Sequence, residues 1–415
     1  MLSPSDTPES RFSADPPLRI LLVEPFFFFH SGEYLRAALT SHGYENARFT
    51  VLAGASDASA HERALHAAAP FPNLDLRVFE EHPSSRDTTP KSWMASGRAL
   101  RLAEQTLKEE SFDLLAYMHA DFILPWFALP GAKRRFPGHF RMKIRGILFR
   151  DQGFRERAMP WGKKLAFQLE HAVFRRAIRS GAFERLAFLD PWSAEKARAE
   201  FGPICGYGVD PVDITPMDTA EARRMLGIPE DAYVALIFGG LSQRKGIFET
   251  LAALARAPGD LDRVVLVIAG PVDPPIREAL EAAIEQTRKR CRVLYHEGFI
   301  STKTAAYFSS ADCVICTYLN FYVSSNVLIH AAKCGKPLLV STHGVMKDVI
   351  DKYRIGEAIN PRDPAGFMAA FERLMRLSRE ERDALRLRAE AYAQTMDSRK
   401  FMAQFGPVPE TLHPS

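Results

Sequence analysis

Short apolar runs alternate with longer amphipathic stretches along almost the whole chain. The first run, Leu18 to Val23, is apolar apart from Arg19 and ends in Glu24-Pro25. A strand buried on both faces of a parallel sheet requires near-continuous apolar character of this kind. Runs at 47–52, 74–78, 114–118, 143–149 and 185–189 predict further strands, with a helix over 33–42 and amphipathic helices over 92–110 and 162–180. The second half alternates more regularly. Strands over 233–238, 264–269, 292–295, 313–317 and 337–340 are separated by helices near 245–257, 274–290, 303–309, 325–333 and 345–352. Two helices, 364–378 and 378–396, follow. Such alternation builds βαβ units, so the fold class is α/β with doubly wound parallel sheets.

A length of 415 residues suits two domains. Glycines and prolines cluster from Ile204 to Pro211, and the expected division falls there. It gives a disordered tail over 1–17, a first domain over 18–205, a second over 206–390, and a segment over 391–415 for which a return to the first domain is one course. Two doubly wound domains leave a cleft, and ligands belong in it at the carboxyl ends of the strands.

The candidate chemistry begins at Gly239-Gly240-Leu241-Ser242-Gln243-Arg244-Lys245-Gly246, between a predicted strand and a predicted helix. Glycines let the backbone turn tightly, amides and the helix dipole face an anion, and two cations neutralise it. The order is not that of a Walker loop, because the lysine precedes the last glycine, and the dinucleotide fingerprint G-x-G-x-x-G is absent. A diphosphate site of neither kind points to nucleotide-sugar enzymes; a solvated basic turn is the alternative. Asp260-Leu261-Asp262 has the form of a metal-binding Asp-x-Asp but precedes its strand instead of following it, so no metal is expected. Five scattered cysteines suit a reducing compartment, and Cys313 and Cys316 lie in an apolar run. The tail lacks the pattern of a signal peptide, and no run reaches the length of a membrane span, so a cytoplasmic location is expected.

The net charge of +4 conceals a basic block: from Lys133 to Arg179 there are fourteen Lys and Arg against three Asp and Glu. Aromatic and aliphatic residues are interleaved with it. A solvated basic face, peripheral contact of 133–179 with anionic lipid at the inner membrane surface, and nucleic-acid binding are the competing readings. The last is set aside because no nucleic-acid module accompanies the charge. Phe26 to Phe29 cannot all point inward from one strand, so at least one is expected on the acceptor side or against a membrane.

Three stretches together resemble the GT-B glycosyltransferases, and within them the retaining glycosyltransferase 4 type (glycosyl transferases group 1). They are Tyr207-Gly208-Val209-Asp210, the loop from Gly240 to Gly246, and Ser324-Ser325-Asn326 running through His330 to Gly335-Lys336-Pro337. The resemblance implies two Rossmann-like domains facing a cleft. It also implies transfer of a sugar from a nucleoside diphosphate sugar to a carbohydrate or lipid-linked acceptor hydroxyl, in surface polysaccharide or glycolipid synthesis, without a separate cofactor. Donor binding is assigned to Gly240, Arg244, Lys245, Gly298, Tyr322, Ser324, Ser325, Asn326 and His330. A loop with Ser31 and Gly32 is assigned to the acceptor or the diphosphate. His119, with Asp121 as its orienter, is the catalytic candidate at the end of a first-domain strand; a purely structural His119–Asp121 pair is the alternative.

The chain departs from the family pattern at two places. Gly240 stands where relatives carry an arginine, for which Arg244 is the expected substitute. The family's glutamates, eight apart, fall on Tyr322 and His330, neither of them a carboxylate. Ser325 could cap its own helix, and His330 could be a satisfied core imidazole. The rival functions are therefore a GT-B nucleotide-binding scaffold without chemistry and a sugar-nucleotide epimerase of the same fold.

Overall fold

A computed structural model describes residues 17–27, 31–71, 74–81, 90–155, 161–298 and 303–406. Most of the expected tail, Phe28, Phe29, His30 and Phe299 lie outside the described residues.

The first sheet contains β1 (Arg19–Glu24), β2 (Arg48–Ala55), β3 (Asp75–Glu80), β4 (Leu114–Tyr117), β5 (Ile144–Leu148), β6 (Phe183–Phe188) and β7 (Cys205–Tyr207). Its order is β3-β2-β1-β4-β5-β6-β7, with parallel pairing throughout. The second contains β8 (Tyr233–Phe238), β9 (Val264–Gly270), β10 (Arg292–Glu297), β11 (Cys313–Cys316), β12 (Leu338–Ser341) and β13 (Gly356–Ile359). Its order is β10-β9-β8-β11-β12-β13, again parallel. Both are doubly wound α/β sheets.

The apolar runs explain this directly. Along β1, Leu21 and Val23 enter the core on one face while Ile20 and Leu22 enter the other, because successive side chains of a strand alternate. Phe26 and Phe27 are buried core residues beyond β1. Cys313 and Cys316 are buried in β11.

Both expected domain limits need moving. β7 pairs with β6, so a cut after Cys205 divides an edge strand of the first sheet, and the crossing begins at Gly208. Three residues containing a glycine are too short to register as an apolar run. The helix Arg379–Gln394 runs past residue 390, with Ala389, Tyr392 and Ala393 in the second-domain core. The chain then turns back, and Phe401, Met402 and Phe405 join Tyr34 and Leu35 in the core of the first domain. The contact is sealed by Ser41, whose hydroxyl donates to the Arg399 carbonyl and accepts the Met402 amide, each at 2.9 Å.

Candidate active site

The strand order reverses between β1 and β4 in the first sheet and between β8 and β11 in the second. Loops leaving neighbouring strands at such a point diverge, and the crevice at the carboxyl ends receives ligands. The candidate residues cluster at these two points.

At the end of β8 the turn depends on Gly239 (φ 97°) and Gly246 (φ 65°). A Cβ on Gly246 would lie 1.9 Å from the Thr317 carbonyl oxygen, so this position is closed to any side chain. Gly240 is exposed and a Cβ there meets nothing within 4 Å, so it supplies open space and not the turn. Lys245 ends the short turn Gln243–Lys245 and folds under the loop, 8% exposed. Its Nζ donates to the Phe238 carbonyl at 3.3 Å and to the Tyr318 hydroxyl, and stands 4.2 Å from the centre of the Tyr318 ring. Burial pushes its pKa down to about 7. Arg244 remains exposed at the mouth, its guanidinium 4.6 Å from the centre of the Phe321 ring.

The helix Asn326–Lys333 begins beside this lysine. Ser325 occupies its N-cap position without a side-chain capping bond; its hydroxyl lies 3.4 Å from that of Tyr318. Self-capping, one of the expected roles for Ser325, does not occur. The Ser325 side chain leaves the first amides of the helix uncapped, which keeps the positive end of the dipole beside Lys245. Ser324 and Asn326, assigned to the donor, contact the crossing segment and the first domain: Ser324 Oγ donates to Asp210 Oδ2 at 2.8 Å and Asn326 Nδ2 to Glu33 Oε2 at 3.1 Å.

The two positions that lack glutamates diverge. Tyr322 lies against the turn at Gly344, its ring centre 5.0 Å from that of His343. His330 is buried 4.9 Å from the Phe308 ring, and among the described residues its Nδ1 has no hydrogen-bond partner. Burial drives its pKa down to about 3, so the ring is neutral near pH 7. It is not the satisfied core imidazole of the alternative reading, and a ligand or water would complete it. Gly298 closes β10 at φ 113°, its amide donating to the Gly270 carbonyl at 3.3 Å. Nearby, His296 Nδ1 pairs with the Tyr307 hydroxyl at 2.9 Å.

In the first domain, His119 follows β4 and is buried. Its orienter is Glu24 at the end of β1, with both carboxylate oxygens 2.8 and 2.9 Å from Nδ1. The His119 ring stacks on Phe149 at 4.0 Å and 8°. Asp121 does not orient His119. The chain enters a tight turn at Ala120–Phe122, which carries Asp121 to the loop after β5. There it accepts from the amides of Phe149 and Arg150, both at 3.0 Å, and from Gln152 Nε2 at 2.7 Å. Its role is to fix that loop and, through it, the ring on which His119 stacks. Ser31 and Gly32 are not in a loop: they open the helix Ser31–Leu39, with Ser31 buried and Gly32 facing Ala67. Ser31 and Glu33 both favour a helix start.

The domains meet through polar contacts around this centre. Asp210, on the crossing segment, accepts from the Tyr34 hydroxyl at 2.5 Å as well as from Ser324. Arg155 grips Asp190 at 2.5 and 2.6 Å and reaches Asp348 of the helix Gly344–Tyr353 at 2.6 Å.

Residues 218–394 match the family model of glycosyl transferases group 1. Over these residues the second domain is similar to that family. This domain contains the loop with Lys245 and the helix at Asn326, whereas Glu24, Glu33 and His119 lie outside the matched residues. Among curated relatives, the D-inositol 3-phosphate glycosyltransferase of Geodermatophilus obscurus is 27% identical over 210 residues, 48% of this chain and 45% of that one. The matches span about half the length of the curated relatives. The overall fold is GT-B. Anabaena Alr3699/HepE, solved in complex with UDP, superposes with a TM-score of 0.65 at 16% identity over 93% of this chain and 98% of its own. WaaG, a glycosyltransferase involved in lipopolysaccharide biosynthesis, gives 0.60 at 16% identity over 92% and 97%.

Proposed function

We propose that the chain transfers a sugar from a nucleoside diphosphate sugar to an acceptor hydroxyl, the second domain holding the donor and the first presenting the acceptor. Lys245 carries this reading: a buried cation at the carboxyl end of β8, beside helix amides that the Ser325 side chain leaves uncapped. Negative charge grows on the diphosphate as its bond to the anomeric carbon breaks; a preformed dipole and the Lys245 ammonium, which a bound diphosphate favours, stabilise it. Arg244 adds a second cation at the mouth. We assign the stabilisation of the leaving group to these side chains and amides, with no separate cofactor. His119, fixed through Nδ1 by Glu24, stands on the opposite wall as a donor to the sugar or to developing charge.

Uracil is the first base to test, since the HepE complexes hold UDP and UDP-glucose. Likeness to the retaining group supports retention of anomeric configuration. A lipid-linked or polysaccharide acceptor is supported by the basic block, in which Leu165 and Leu169 are each 61% exposed on the helix Trp161–Arg179. Failure to bind anionic liposomes at low salt would remove the lipid-linked acceptor and leave the transfer reading intact. Among the described residues no helix is long and apolar enough to cross a membrane.

Thermal unfolding of wild type and Lys245→Ala against UDP, GDP, ADP, dTDP and CMP tests the donor site. A ligand at a hundred times its Kd adds about 2.7 kcal/mol, which raises the midpoint by roughly several degrees. One nucleotide is expected to stabilise wild type and not the variant; no stabilisation by any would overturn the reading. Donor turnover with an acceptor separates a transferase from a scaffold, and turnover without one identifies an epimerase.

A further inference from the structure

We propose that Glu33, a first-domain residue, binds hydroxyls of the sugar being transferred and so supplies the carboxylate that the second domain lacks at 322 and 330. The proposal rests on the nucleotide-sugar reading above and concerns the same cleft.

Position is the first argument. Glu33 stands in the first turn of the helix Ser31–Leu39, yet its Oε2 accepts from Asn326 Nδ2 in the first turn of the second-domain helix. Asn326 follows Ser325, which touches Tyr318, which takes the hydrogen bond from Lys245. A path of contacts thus leads from the buried cation to Glu33 through Tyr318, Ser325 and Asn326. A group attached to a phosphate at Lys245 and the helix amides is directed across the cleft towards Glu33.

The second argument is chemical. Among the described residues neither lysine nor arginine forms an ion pair with Glu33, and its Oε1 takes no hydrogen bond. Its charged company includes Asp210 and Asp213 on one side and Arg36 and Lys333 on the other. Burial raises the Glu33 carboxyl to about 7. A phosphate is disfavoured there, since the carboxyl groups of Glu33, Asp210 and Asp213 outnumber the two cations. A neutral ligand rich in hydroxyl donors is not: neighbouring hydroxyls of a pyranose can donate to the open carboxylate oxygen and leave the Asn326 contact in place. The Tyr34–Asp210–Ser324 bridge holds the two helices in the relation that brings Glu33 to this position.

The test is calorimetric titration of the full chain, as wild type, Glu33→Ala, Glu33→Gln and Lys245→Ala. The probes are UDP, GDP and ADP, with UDP-glucose, UDP-galactose, UDP-N-acetylglucosamine, GDP-mannose and ADP-glucose. For the best-bound conjugate, Glu33→Ala is expected to weaken the nucleotide sugar roughly 10- to 100-fold, the range of a lost charge-assisted hydrogen bond. The matching free nucleotide should stay within about twofold, since only the conjugate carries the hydroxyls that Glu33 would bind. Glu33→Gln preserves volume and the carbonyl acceptor for Asn326, and it decides the matter if the alanine variant fails to fold; the same selective loss is expected. Equal weakening of nucleotide and conjugate would show that Glu33 only holds the domains together, and no weakening of either would show that it is idle; each result overturns this proposal alone. Failure of wild type to bind any nucleotide overturns the donor-site reading and this proposal with it.

Discussion

At the end of β8 the second domain presents Lys245 and Arg244, and among the described residues neither pairs with a carboxylate. At the ends of β1 and β4 the first domain presents Glu24 and His119, with Glu33 and Asp210 close by. The same strand order thus produces an electropositive wall and a carboxylate-rich wall facing each other. A nucleotide sugar has the matching polarity: an anionic diphosphate at one end and a neutral polyol at the other. The fold dictates where both sites lie, and the residues at the strand ends dictate what each wall accepts.

This division can be broken from either side. The largest expected effect is on turnover. His119→Ala should lower kcat by roughly 100-fold or more, within the range of general acid–base groups, while nucleotide affinity measured by calorimetry stays unchanged. Lys245→Ala should show the opposite pattern, with nucleotide affinity falling roughly 10- to 100-fold. Glu24→Gln should cost about 10-fold in kcat through loss of the carboxylate that holds Nδ1, while nucleotide affinity stays unchanged.

A pH series sharpens the same contrast. Free Lys245 loses its proton through about 7, well below its ordinary 10.5, whereas a bound diphosphate favours the charged form. Nucleotide binding above pH 7 must therefore take up a proton, and affinity should fall by up to about tenfold per pH unit. Calorimetry in buffers of different ionisation enthalpy reads that uptake. The sign for stability is opposite: the cost of burying the ammonium is full below about 7 and fades as pH rises towards the ordinary value. The smallest functional effect belongs to Asp121→Asn, which should lower stability by about 1–3 kcal/mol in denaturant unfolding and leave nucleotide affinity unchanged.

The sheets and the glycine turn before Gly246 were legible because their signals are local. An apolar run announces a buried strand, and clustered glycines announce a tight turn. The opposite wall was not, since its pairs are remote in sequence: Glu24 and His119 are 95 residues apart, and Glu33 and Asn326 are 293 apart. Asp121 looked like the partner of His119 because it is two residues away, but the turn at Ala120 sends the two side chains in different directions. One signal for Glu24 was present: among the apolar residues of β1 it is the acid at the carboxyl end, where doubly wound sheets keep their functional groups. Ser324 and Asn326 read as ligands for an anion because capping residues at a helix start suit one; their partners, Asp210 on the crossing segment and Glu33 in the first domain, leave no trace in the local pattern.

The chain passes between the domains twice, outward from Gly208 and back after Met396, and the two passages touch. Gln404 Oε1 accepts the Val209 amide at 3.0 Å, and a Cβ on Gly208 would lie 2.5 Å from that oxygen. Two tethers side by side act as the pins of a door: they permit swing about one line and resist both twist and separation. For the transfer proposed above, this arrangement keeps the two walls in one register, so donor and acceptor meet along a fixed arc and not by a search in three dimensions. The few apolar residues beyond Met396 are in that sense part of the machine's bearing, although they are far from its chemistry in sequence.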